Sequence, residues 1–100
     1  KFKRKIEEKT FTLEEREHLW DCMYQTFSDT MADLKAKCPD LTREDLLYCV
    51  FYLLGYPNPI IIACTGSNAN ALKSRKNRIK NKMDEELRSV IFNIDSKLTH

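Results

Sequence analysis

Between positions 68 and 83 the chain carries six Lys or Arg side chains and no Asp or Glu. Interleaved with them stand short polar groups: Asn70, Ser74, Asn77 and Asn81. Amides and hydroxyls of this length hydrogen-bond base edges, and the longer Lys and Arg side chains reach phosphate oxygens beside them. A surface approaching phosphate must also be free of carboxylates, because its affinity comes from cations displacing counterions. The whole-chain charge of +2 conceals this pattern. Residues 1–67 hold nine Lys/Arg against eleven Asp/Glu, whereas residues 68–100 hold eight against four. The positive charge is local, and a local basic stripe is the footprint expected opposite a polyanion.

Other chemistries lack their residues. The four cysteines, at 22, 38, 49 and 64, are never closer than eleven positions, so no C-x-x-C pair exists for zinc or thiol exchange. Cys49 and Cys64 lie in apolar stretches, where a reduced thiol behaves as a small hydrophobe. That pattern is expected of free thiols in a reducing cytoplasm. His18 and His100 add no ligand spacing, and no Ser/His/Asp set is present. We therefore expect no metal, no cofactor, no small-molecule ligand and no enzymatic activity. Gly55 and Gly66, the only glycines, cannot build a phosphate-cradling loop, which needs several at fixed offsets. Two glycines and three prolines are also too few turn residues for a sandwich or barrel. The apolar stretch from Leu46 to Cys64 is cut by Gly55 and Pro57-Asn58-Pro59, short of the about 20 uninterrupted residues a spanning helix needs. No apolar run of leader type follows Lys1-Phe2-Lys3-Arg4-Lys5. Neither membrane contact nor secretion is expected, and the cytoplasm is the expected location.

The elements that position the basic segment are legible from caps and periodicity. Residues 1–11 read as a charged linker or frayed start, and residues 12–38 as an N-terminal helical segment. Thr12-Leu13-Glu14-Glu15 reads as a capping box, in which Thr12 and Glu15 satisfy each other's backbone N–H groups. Leu13, Trp20, Phe27 and Leu34 then recur seven apart, widened by Met23, Tyr24, Met31 and Cys38 into an apolar stripe. Ser28-Asp29-Thr30 offers a second N-cap, so 12–37 is one long helix or two, ended by Pro39. Thr42-Arg43-Glu44-Asp45 caps the next helix, which is apolar on nearly every side through Leu54 and is stopped by Gly55. Asn58 followed by Pro59 starts a short third helix, closed by Gly66. Ser67 or Asn68 caps the basic helix, about 69–83. Asp84-Glu85-Glu86 open a last helix, where acids suit the dipole, with Leu87, Val90, Ile91, Ile94 and Leu98 as its stripe.

At about 100° per residue, Leu72, Ile79 and Met83 of the basic helix fall within about 20° of one line. Asn70, Ser74, Asn77 and Asn81 lie on the opposite side. Lys73 and Lys80 flank them on one edge and Arg78 and Lys82 on the other, with Arg75 and Lys76 nearer the buried edge. Asn70, Lys73, Ser74 and Asn77 are thus candidates for reading bases. Arg75, Lys76, Arg78, Lys80 and Lys82 are candidates for phosphate.

A short helix, a three-residue turn and a polar basic helix form a helix-turn-helix arrangement. With its flanking segments, this region resembles the LuxR/GerE-type domain of bacterial transcription regulators, in the variant that ends larger sensor proteins. The residues carrying the likeness are Leu41-Thr42-Arg43-Glu44-Asp45, Leu53-Leu54-Gly55, Ile61-Ile62, and Lys76-Asn77-Arg78-Ile79-Lys80-Asn81-Lys82-Met83. The likeness covers residues 41–94, about half the chain. The resemblance implies an all-α, tetrahelical helix-turn-helix domain over 41–98, forming one unit with the preceding one or two helices. It also implies an output domain that binds double-stranded DNA, with the basic helix in the major groove. Under it, Lys73, Ser74 and Asn77 would contact bases, and Arg75, Lys80 and Lys82 phosphates.

A second reading stays open: a helical protein-interaction or dimerisation module without DNA binding. It would use aromatic contacts through Trp20, Tyr48 or Phe51. Under either reading a homodimer through the N-terminal and last helices is compatible with the chain, since helix-turn-helix readers commonly pair on two-fold operators.

Overall fold

The computed structural model describes residues 11–92. The charged start before Phe11, and Ile94 and Leu98 of the expected last stripe, lie outside the described residues. Within them the chain is all-helical: α1 Leu13–Thr26, α2 Ser28–Lys37, α3 Arg43–Leu53, α4 Asn58–Thr65, α5 Ala69–Lys82 and α6 Glu85–Ile91.

Both capping boxes form. Thr12 Oγ1 accepts from Glu15 N–H at 3.1 Å while Glu15 accepts from Thr12 N–H at 2.9 Å. Thr42 and Asp45 repeat the exchange at 3.1 and 3.0 Å. Each box satisfies donors that the first helical turn leaves orphaned. The 12–37 segment resolves into two helices, with Phe27 as the single residue between them. Its N–H still donates to Met23 and its carbonyl already accepts from Met31, both at 2.9 Å. The expected Ser28-Asp29-Thr30 cap does not form, since α2 starts at Ser28 without a side-chain cap bond.

The seven-residue stripe faces the core except at its start. Met23, Met31, Leu34 and Cys38 are buried, Trp20, Tyr24 and Phe27 are half-buried, and Leu13, in the first turn of α1, is exposed. The stripe holds across the break, since Met31 and Leu34 of α2 and Cys38 at its C-cap are all buried, and Leu13 alone departs from it.

At the centre sits α3. Asp45 through Tyr52 are all buried, with Phe51 and Cys49 at zero exposure. Helices α1, α2 and α6 pack around it, which is why its apolar residues run round the whole helix. It ends on Gly55, whose φ of 78° lies in the left-handed region that glycine enters without a Cβ clash. Gly55 N–H reaches Tyr52 O at 3.0 Å and Tyr56 N–H reaches Phe51 O at 3.2 Å, the two bonds of a Schellman motif. The Phe51 and Tyr56 rings, 5.8 Å apart, add the apolar contact that accompanies it. One placement moves: α4 is entered from Pro57, with Asn58 already helical and no side-chain cap. The fixed φ of proline suits that entry. In α6 Leu87 and Ile91 are buried, whereas Val90 of the expected stripe is exposed.

Candidate nucleic-acid interface

Helix α5 begins at a turn fixed from three sides. Gly66 closes α4 with φ 75° and donates to Ile62 O at 2.8 Å. The guanidinium of Arg16 on α1 lies against it, and a Cβ there would meet the Arg16 carbon at 2.9 Å. Thr65 Oγ1 donates back to Ile61 O at 2.7 Å, and the Tyr48 hydroxyl of α3 bonds the Ser67 hydroxyl at 2.8 Å. Asn68 then caps α5, its Oδ1 accepting from Ala71 N–H at 2.8 Å. The start of α5 is therefore tied to α1, α3 and α4 before its first exposed residue.

Leu72, Ile79 and, at the C-cap, Met83 hold α5 to the core. The opposite face is exposed, and it carries Asn70, Lys73, Ser74 and Asn77 together with Arg78 and Asn81. All four base-reading candidates share this one surface. No acid stands on α5 itself.

The cations on its inner edge have a different environment. Asp45 is 3% exposed and accepts from Arg75 at 3.0 Å on Oδ1 and from Lys82 at 2.7 Å on Oδ2. The Thr42 N–H completes Oδ2 at 3.0 Å. Arg75 also reaches Glu44 at 3.2 Å, and its guanidinium carbon lies 4.8 Å from the Tyr48 ring centre. Burial alone would raise the Asp45 pKa, but the bonds from Lys82, Thr42 and Arg75 outweigh it and hold the carboxyl at about 2. For Arg75 burial acts to lower the pKa, and the bond to Asp45 reverses it, so the guanidinium stays charged.

Arg75 and Lys82 are candidates for phosphate, and the structure places both against the Asp45 carboxylate. Both turn inward onto a buried carboxylate, because Asp45 needs two cations to stay ionised away from water. Of the other phosphate candidates only Arg78 falls in a more exposed class than Arg75 and Lys82. Arg78 is exposed, and Lys76 and Lys80 are half-exposed. Lys80 lies 5.1 Å from the Phe92 ring centre, and Lys76 5.5 Å from those of Tyr52 and Phe92. The aromatics named under the interaction-module reading differ in exposure. Phe51 and Tyr48 are buried in α3, and Trp20 is half-buried with its indole N–H on Cys64 O at 2.8 Å.

Sequence reasoning found Asp45 as a capping residue and missed its second role. Arg75 and Lys82 lie 30 and 37 residues away, beyond any local pattern. The available signal was their seven-residue spacing on the core side of α5, a stripe of two cations with no local acid. Among the described residues no group of three or more potential metal ligands occurs, and no helix is long and apolar enough to cross a membrane. Compared with protein-family models, curated proteins and solved structures, the chain matches none.

Proposed function

We propose that this chain is a DNA-binding output domain of a bacterial transcription regulator, and that α5 enters the major groove with its exposed face. The observation that carries this reading is the sorting of charge about one helix. The nearby acids Asp45 and Glu44 are paired with Arg75 on the inner edge. The outer face offers Asn70, Lys73, Ser74 and Asn77, with Arg78 beside them. A face of short donors and acceptors between long cations matches what base edges and flanking phosphates require.

In this reading Asn70, Lys73, Ser74 and Asn77 read bases, and Arg78, Lys76 and Lys80 reach phosphates. Arg75 and Lys82 act through Asp45 as positioning residues: they fix the angle at which α5 leaves the body of the protein. The resemblance over 41–94 agrees with the base-reading residues and is modified at Arg75 and Lys82.

The test is fluorescence anisotropy of a labelled duplex between about 50 and 200 mM salt, where phosphate contacts dominate affinity. Wild type should bind at the low end and lose affinity steeply. A Lys73/Arg78/Lys80→Ala variant, altered only at exposed or half-exposed positions, should fold and fail to bind. Absence of binding by folded wild type at the lowest salt, or unchanged binding by the variant, would overturn the proposal.

A further inference from the structure

Away from the exposed face of α5, a cleft of about 540 Å³ opens between α1 and α3, with Trp20, Tyr24 and Tyr48 in its walls. Its size lies within the roughly 300–1,000 Å³ of ligand-binding clefts. The polar end of each aromatic is anchored: Trp20 to Cys64 O at 2.8 Å, Tyr24 to Arg43 O at 3.1 Å, and Tyr48 to Ser67 at 2.8 Å. The ring faces are therefore held in place before any ligand arrives.

Two exposed carboxylates, Glu17 and Asp21, line the same cleft from α1. They are four residues apart, a spacing at which like charges destabilise a helix. Neither has an ion-pair partner among the described residues. The lining cations do not answer them. Arg75 is committed to Asp45 and Glu44, and the Arg43 guanidinium carbon lies 3.8 Å from the Tyr24 ring centre. Arg43 shows how this surface accepts a guanidinium, by cation–π contact. The unpaired carboxylates of Glu17 and Asp21 favour a positive charge at the α1 side of the cleft, where Trp20 stands between them. An acidic or phosphate-bearing ligand would meet two unpaired carboxylates there.

We propose that the cleft docks a basic peptide segment of a partner protein, with an Arg or Lys side chain against Trp20 and its charge on Glu17 and Asp21. This site does not depend on DNA binding by α5. It would give the domain a second, protein-directed contact through α1.

Trp20 is the only tryptophan in the chain, so its emission reports on the cleft without a label. The chain is titrated at low salt with a capped pentapeptide alternating arginine and glycine, and separately with the same peptide carrying glutamate for arginine. We expect a saturable change with the basic peptide and none with the acidic one. A Glu17→Gln/Asp21→Asn variant should bind the basic peptide roughly tenfold more weakly, the order for losing two solvent-facing charge pairs. The variant should melt no lower than wild type, because it removes a repulsion on an exposed face, so its weaker binding is separable from unfolding. The proposal is overturned if the basic peptide gives no saturable change, if the variant titrates like wild type, or if the acidic peptide binds equally well.

Discussion

The two flanks of α5 carry the same kind of residue and put it to opposite uses. On the inner flank, Arg75 and Lys82 close on Asp45 at 3.0 and 2.7 Å and hold the helix to α3. On the outer face, Lys73 and Arg78 stand exposed among Asn70, Ser74 and Asn77. The difference lies in a carboxylate on another helix, not in the cations. A basic helix can therefore be half structural and half available, and its total charge overstates the part open to a polyanion.

The largest effect that could break this contrast is on the inner flank. Asp45→Ala would leave two cations facing each other without their carboxylate and would remove half of the Thr42 capping box. We expect a loss of about 3 kcal/mol, the lower end for breaking a buried pair, since both cations can still reach water. That corresponds to roughly 12–24 °C in melting temperature for a domain of this size. A loss under about 1 kcal/mol in urea unfolding would mean that Asp45 does not hold α5.

The same carboxylate fixes a pH dependence. Its pKa is lowered from 3.8 to about 2 in the folded protein, so folding favours the ionised form. The stabilisation is complete above about pH 5 and is lost as pH falls through 4 towards 2, about 2 kcal/mol in all. Wild type and Asp45→Asn should therefore differ most near neutral pH and converge near pH 2. A stability gap constant from pH 7 to pH 2 would contradict the assignment.

On the outer face the effects fall on binding. Lys73→Ala or Asn77→Ala should cost about 1–2 kcal/mol on a preferred site, with relaxed choice at one base position. Site selection with a randomised duplex would show it, and an unchanged preference would remove those residues from the groove. The smallest effect sharpens the contrast. Ser74→Ala changes an exposed hydroxyl on a helix, so stability should move by no more than about 0.5 kcal/mol. Any loss of sequence preference in that variant then belongs to recognition and not to folding.

Much of this was legible in the sequence because the signals were local. Thr12 with Glu15 and Thr42 with Asp45 announce helix starts within four residues, and Gly55 and Gly66 mark stops where φ turns positive. Leu72, Ile79 and Met83 fixed the core side of α5, and with it the exposed set Asn70, Lys73, Ser74 and Asn77. What was not legible depended on partners distant in sequence. Long cations near the edge of a helix turn in or out according to what lies opposite, and Asp45 is supplied by α3. Ser28-Asp29-Thr30 left two helices open as an alternative, though the break at Phe27 forms without their cap, and Pro57 in place of Asn58 at the head of α4 is a one-residue shift that the local residue types do not resolve. That α3 is the central buried helix was legible from its all-round apolar character, and Tyr48 and Phe51 are covered there because three other helices surround it.

The most direct measurement is the salt dependence of DNA affinity for Arg78→Ala beside Lys82→Ala, each with its stability determined separately. Arg78→Ala should weaken binding to every duplex, lower the log–log salt slope by about 1 and leave the melting temperature nearly unchanged. Lys82→Ala should lower the melting temperature and, where the variant is folded, keep the wild-type slope. Equal loss of slope in both variants would contradict the account, because it would place Lys82 on phosphate and not on Asp45.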